Sequence, residues 1–112
     1  MKVDIVKEKI KKIASHYGFP KQSRQLSEEC AELIQAVNKY YRFREGILTN
    51  DDVLTSQRDN NMLIQNIDEE IADVQVVMDE IIFLLNINSG AIEQIKKNKV
   101  DRQLERMKKE GR

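Results

Sequence analysis

From Met62 to Ile87 the chain sets Leu63, Ile67, Ile71, Val74, Met78, Ile81 and Leu85 at helical spacing, then adds Val76, Val77, Phe83 and Leu84 on the remaining sides. A helix whose second half is apolar nearly all round must be covered on almost every side. One helix among three others of the same chain buries only part of that circumference. The pattern therefore predicts a helical protomer that assembles, most simply through a twofold axis, into a homodimer or homotetramer.

The rest of the chain agrees with helices. Proline occurs once and glycine four times in 112 residues, and Leu, Ile, Lys, Glu, Gln and Arg lose little rotamer freedom in a helix. A first helix is marked by Val3, Val6, Ile10, Ile13 and Tyr17. It is stopped by "YGFP", where Gly18 suits a left-handed cap and Pro20 resists continuation. A second helix is expected from Pro20 or Gln22 to Arg44, its core stripe being Leu26, Cys30, Leu33, Val37 and Tyr41. The stretch "REGILTNDDVLTSQRDNN" lacks a sustained apolar period, so residues 43–61 are expected to form an irregular loop with at most one helical turn. A fourth helix, capped by Asn88 or Ser89, runs from Ala91 to Lys109 with Ile92, Ile95, Val100, Leu104 and Met107. The expected fold class is all-α, a four-helix bundle-like protomer built as a single domain over residues 1–112.

Charge and cysteine usage narrow the function classes. Basic and acidic residues number 19 each, which removes a summed positive field as a reason to expect nucleic acid or an anionic membrane. No uncharged apolar run is long enough to cross a bilayer, and Asp4 and Glu8 interrupt any signal-peptide block. A lone Cys30 forms no internal bridge and no His/Cys set has zinc spacing, so a cytoplasmic protein is expected, with Cys30 as core filler. His16 has no partner that would define a catalytic triad and reads as a capping or surface residue.

The carboxylates are placed where solvated acids have no need to be. Residues three apart on a helix lie roughly 60° apart around its axis, so Glu29 and Glu32 share a face, as do Glu70 and Asp73. Leu26 and Leu33 flank the first pair, and Ile67, Ile71 and Val74 flank the second. If the second and third helices pack antiparallel the two pairs meet, and each like-charge contact near 4 Å costs roughly 1–4 kcal/mol. Such a cluster demands a cation. Four carboxylates without histidine or thiolate make a hard oxygen site, suited to Mg²⁺, with Mn²⁺ as the alternative. Magnesium held this way completes its shell with waters and substrate phosphates, which points to phosphoryl chemistry. Lys99, Arg102 and Arg106, spaced along the fourth helix, form a basic stripe able to clamp phosphate oxygens, and Lys96 extends it. Glu28 and Glu69 are expected as exposed charge beside the cluster. Tyr40, Tyr41 and Phe43 are open both to stacking on a base and to packing beneath the following connection.

With "EECAE" and "EEIAD" the chain resembles the MazG-like family of all-α nucleoside triphosphate pyrophosphohydrolases, whose pattern has two adjacent glutamates, a third three residues on, then Glu-x-x-Asp. Gln22, about two turns before the paired glutamates, and the basic residues of "NKVDRQLERM" agree with that pattern. The resemblance implies Mg²⁺-dependent hydrolysis of a (deoxy)nucleoside triphosphate to the monophosphate and pyrophosphate by an oligomer of helical bundles. It implies Glu29, Glu32, Glu70 and Asp73 as catalytic metal ligands, one acid orienting the attacking water, and Gln22, Lys99, Arg102 and Arg106 at the substrate. The connection between Glu32 and Glu70 is longer than in the simplest members. Two other classes stand against this reading. One is a non-catalytic helical oligomer acting as a regulator, in which acids and bases pair across subunits. The other, a ferritin-like di-iron bundle, expects Glu-x-x-His pairs that neither acidic pair provides.

Overall fold

A computed structural model describes residues 4–47 and 53–111. These form four helices and no strand: α1 (Ile5–Tyr17), α2 (Phe19–Ile47), α3 (Val53–Leu84) and α4 (Ser89–Lys109). No helix among the described residues is long and apolar enough to cross a membrane.

The helix ends follow from local chemistry. The Asp4 carboxylate accepts from the Lys7 backbone N–H at 3.1 Å and caps α1. At its other end Gly18 takes φ 82° while its N–H donates to the Ala14 carbonyl, a backbone state open to glycine and strained for other residues. Asn86 (φ 53°) turns the chain after α3. The Asn88 side chain then accepts from the N–H groups of Gly90 and Ala91 to start α4.

The irregular loop expected over residues 43–61 is corrected. Helix α2 runs on to Ile47 and α3 begins at Val53, so both flanks of that stretch are helical; residues 48–52 lie outside the described ones. The third helix likewise starts well before Met62 and ends at Leu84 rather than Ile87. A polar run without proline extends a helix cheaply once neighbouring turns are packed, because propagation adds one hydrogen bond per residue fixed. Apolar periodicity is blind to such turns.

Helices α2 and α3 form the main packing unit, and two hydrogen bonds set their direction. Gln22 Nε2 donates to Glu80 Oε2 at 2.6 Å and Tyr40 Oη donates to Asn60 Oδ1 at 2.8 Å. Advancing along α2 therefore means retreating along α3, and the pair is antiparallel. On α2 the residues removed from solvent include Gln22, Leu26, Glu29, Leu33, Ala36, Tyr40 and Phe43; on α3 they include Asn60, Leu63, Ile67, Glu70, Val74, Val77, Ile81 and Leu84. Both rows alternate steps of three and four, the seam of a coiled-coil pair. The expected aliphatic stripe is thus shifted beyond Leu33, where Val37 and Tyr41 are 46% and 64% exposed. Ala36, buried in their stead, is small enough to let the backbones approach. On α3 the same shift leaves Ile71 and Met78 on the surface, and Leu85, just beyond the helix, is exposed as well.

Helix α1 packs on α3 and, less extensively, on α2, burying Ala14 completely and laying Lys11 Nζ 5.9 Å from the Phe83 ring centre. Helix α4 has no extended packing against the other three. An added Cβ at Gly18 would meet nothing closer than Pro20 Cδ at 3.9 Å, so Gly18→Ala should cost only its backbone strain, about 1–2 kcal/mol. Urea unfolding measures this, and an unchanged midpoint would remove the left-handed cap from the account.

Candidate functional site

The seam of the α2–α3 pair is interrupted at mid-length by charge. Glu29 and Glu70 occupy seam positions, and both are half-buried. Asp73, one turn along α3 from Glu70, is exposed. One carboxylate oxygen from each of Glu29, Glu70 and Asp73 lies within 4.8 Å of the others. Glu32, exposed on the next turn of α2, comes within hydrogen-bonding reach of Glu70. Glu29, Glu70 and Asp73 are thus brought together, and the charge of Glu32 acts on Glu70 beside them.

Their polar atoms are incompletely satisfied. Gln25, one turn before Glu29, donates its Nε2–H to Glu29 Oε1 at 2.6 Å. That bond orients the carboxylate and leaves Glu29 Oε2 out of solvent with no partner, as is Glu70 Oε2. Buried oxygens are nearly always bonded, so these two orphaned oxygens, on carboxylates that converge, are groups that a donor or a cation would satisfy. Burial raises the Glu70 pKa above its ordinary 4.5, and the charges of Glu32 and Asp73, a hydrogen bond with Glu32 and the charge of Glu29 push the same way. A divalent cation relieves all these effects together, and the donors, all carboxylate oxygens, suit a hard ion.

Helix geometry separates the two faces of the hairpin. In an antiparallel pair, the residues just before each seam residue on both helices fall on one side, and those just after on the other. The first side gathers Glu28 and Glu32 with Glu69 and Asp73, all exposed. Beside them a shallow groove is lined by Lys39, Met62, Leu63, Asn66 and Glu69, and a second one by Phe43 and Asp59 with Lys39, Met62 and Leu63. The opposite side is apolar, with Ile34, Val37, Tyr41, Ile64, Ile71 and Met78 between 40% and 64% exposed.

The remaining expected residues lie elsewhere. Gln22 is 6% exposed, two turns from Glu29, and its amide is engaged by Glu80, itself 2% exposed. That position serves the core under α1 and does not reach the carboxylates. Lys99, Arg102 and Arg106 are exposed on α4, which has no extended packing against the other helices, and none of the three forms an ion pair among the described residues. Tyr40 bonds Asn60 and stands 6.4 Å from the Phe43 ring, centre to centre, in the packing role. Tyr41 is exposed. His16 lies edge-on against Tyr17 at 4.7 Å, at the surface as expected.

Two contributors escaped the sequence reading. Gln25 sits four residues before Glu29, a spacing that signals an amide–carboxylate bond on one helix face. Glu80 falls outside the apolar row of α3, and no local signal gives it a partner 58 residues away in the chain.

Comparison with protein-family models, with curated proteins and with solved structures finds no match for the chain. The resemblance to MazG-like enzymes rests on the residues named above alone.

The raised pKa of Glu70 carries a sign. Its proton is held more tightly in the folded chain, so its contribution to stability is full below pH 4.5 and is lost as pH rises through the raised value. In EDTA, the thermal midpoint of Glu70→Gln should exceed that of the native chain by a margin that widens from pH 4.5 toward neutrality. A margin independent of pH would overturn the crowding of charge at Glu70.

Proposed function

We propose that this chain is a cytoplasmic, Mg²⁺-dependent pyrophosphohydrolase of MazG-like type, converting a (deoxy)nucleoside triphosphate to its monophosphate and pyrophosphate. The observation that carries the reading is the pair of unpartnered oxygens, Glu29 Oε2 and Glu70 Oε2, held out of solvent where Glu29, Glu70 and Asp73 converge and Glu32 adds its charge. Aliphatic side chains at these two seam positions would stabilise the pair of helices by roughly 1.5–3 kcal/mol each. Four converging acids cost stability instead, a pattern characteristic of a functional site.

Glu29, Glu32, Glu70 and Asp73 would hold the ion. When bound, Mg²⁺ neutralises the cluster, polarises phosphate oxygens and lowers the pKa of water. The protein's own groups do the rest. Gln25 fixes the orientation of Glu29 through its 2.6 Å bond. Glu32 and Asp73, on the solvent side, orient the attacking water and take its proton. The groove lined by Lys39, Met62 and Asn66 begins beside Glu69 and offers apolar surface with a few polar groups to a nucleoside. The phosphate chain then points back toward the acids, and its negative charge calls for the bases of α4.

A second reading, a non-catalytic oligomer, is favoured by one observation, the breadth of exposed apolar surface on α2, α3 and α4. The two readings separate on chemistry. With Mg²⁺ and a panel of nucleoside and deoxynucleoside triphosphates, pyrophosphate should be released from at least one of them, and EDTA should stop it. Glu32→Gln and Glu70→Gln should each lower turnover by about 100-fold or more. Full turnover in Glu32→Gln removes its assigned role. No pyrophosphate from any nucleotide, together with no Mg²⁺-dependent rise in thermal midpoint, returns the protein to the non-catalytic class.

A further inference from the structure

We infer that Gln25 decides which divalent ion the carboxylate cluster takes, by holding Glu29 to one free oxygen and so favouring Mg²⁺ over Ca²⁺. This selection rests on the metal site proposed above; it does not require the bound ion to hydrolyse anything.

The two oxygens of Glu29 have different fates. Gln25 stands one turn before Glu29 on α2 and donates its Nε2–H to Glu29 Oε1 at 2.6 Å. Both side chains are half-buried, where a hydrogen bond is electrostatically stronger than in water. Oε2 of the same carboxylate is out of solvent and without a partner. One oxygen is committed to the protein, and the other is left for a ligand.

That division discriminates between hard cations. Ca²⁺ collects roughly six to eight oxygens and readily takes both oxygens of one carboxylate. Mg²⁺ is smaller, demands about six ligands in a near-ideal octahedron, and binds through single carboxylate oxygens completed by waters. A glutamate restricted to one oxygen therefore withholds a ligand that Ca²⁺ would use and Mg²⁺ does not need. A positioning residue of this kind touches the ligand and not the ion, and sets the ion's affinity through it.

The neutrality of the donor matters as much as its place. An ammonium at residue 25 could also engage Oε1, but it would offset the negative charge that attracts the ion. An amide orients the carboxylate and leaves its charge intact. Residues 25–38 and 59–84 contain no Lys or Arg, and Glu29 forms no ion pair among the described residues. The bond is also local, between residues four apart on one helix face, so it can be removed without disturbing the α2–α3 seam. Gln25→Met keeps the length of the side chain and its helix propensity and removes only the donor.

Calorimetric titration of the apo chain with Mg²⁺ and, separately, with Ca²⁺ tests the assignment without any nucleotide. Gln25→Met should bind Mg²⁺ about 10-fold more weakly than the native chain, and the ratio of Ca²⁺ to Mg²⁺ affinity should move toward Ca²⁺ by about 10-fold. Gln25→Lys, which keeps a donor and adds a charge, should weaken both ions and hold the ratio near its native value. A merely structural role for Gln25 would weaken both ions equally in Gln25→Met. An unchanged ratio in Gln25→Met, or the same shift of ratio in Gln25→Lys, overturns the inference while leaving the metal site standing. A native chain that binds neither ion overturns both. Ion binding with the expected shift of ratio, but no pyrophosphate from any nucleotide, upholds the role of Gln25 and removes the catalytic reading alone.

Discussion

The structure turns on two glutamates placed where a paired-helix seam wants aliphatic side chains. Glu29 and Glu70 follow the same three-and-four spacing as Leu26, Leu33, Ile67 and Val74, so the packing of α2 on α3 drives their carboxylates together whether or not the charges favour it. Hydrophobic contacts on either side of the pair hold the geometry, and Asp73, Glu32 and Gln25 act on a position already set. The strain of this arrangement is electrostatic rather than steric. It is visible in the two orphaned oxygens and in the raised proton affinity of Glu70. A proton on Glu70 or a bound cation would relieve both.

The same hairpin explains why so many large apolar side chains are exposed. Two antiparallel helices bury one seam and leave two faces. One gathers acids around the cluster; the other carries Ile34, Val37, Tyr41, Ile64, Ile71 and Met78 into solvent. Helix α1 covers part of the hairpin, and α4 has no extended packing against it. The apolar face and the separation of α4 from the acids have one origin, a chain with too few helices packed on the hairpin to enclose it.

Helical class, helix order and the acids of the cluster were legible because they depend on local rules. The turn at Gly18, the cap at Asn88 and the spacing of Glu29 with Glu32 and of Glu70 with Asp73 need no knowledge of distant residues. The helical ends of residues 43–61 were not legible, since polar turns gain their stability from packed neighbours rather than from their own pattern. The choice of Ala36 and Tyr40 over Val37 and Tyr41 was hidden for a related reason. Close approach of two backbones favours a small residue, and a partner such as Asn60 rewards a phenol, and neither preference appears in hydropathy. Gln22 was assigned to substrate by family pattern, but Glu80 claims its amide in the core.

By itself the sequence determined that the chain is helical, where most of its helices start and stop, and that four carboxylates fall beside apolar rows, because propensity, capping and period act within a few residues. Only the tertiary structure decided that α2 and α3 run antiparallel in the register that brings Glu29 to Glu70, and that α4 has no extended packing against the other helices. Register and docking are set by which side chains fit across a seam between segments some forty residues apart, and that fit is a property of two surfaces in contact rather than of either stretch alone.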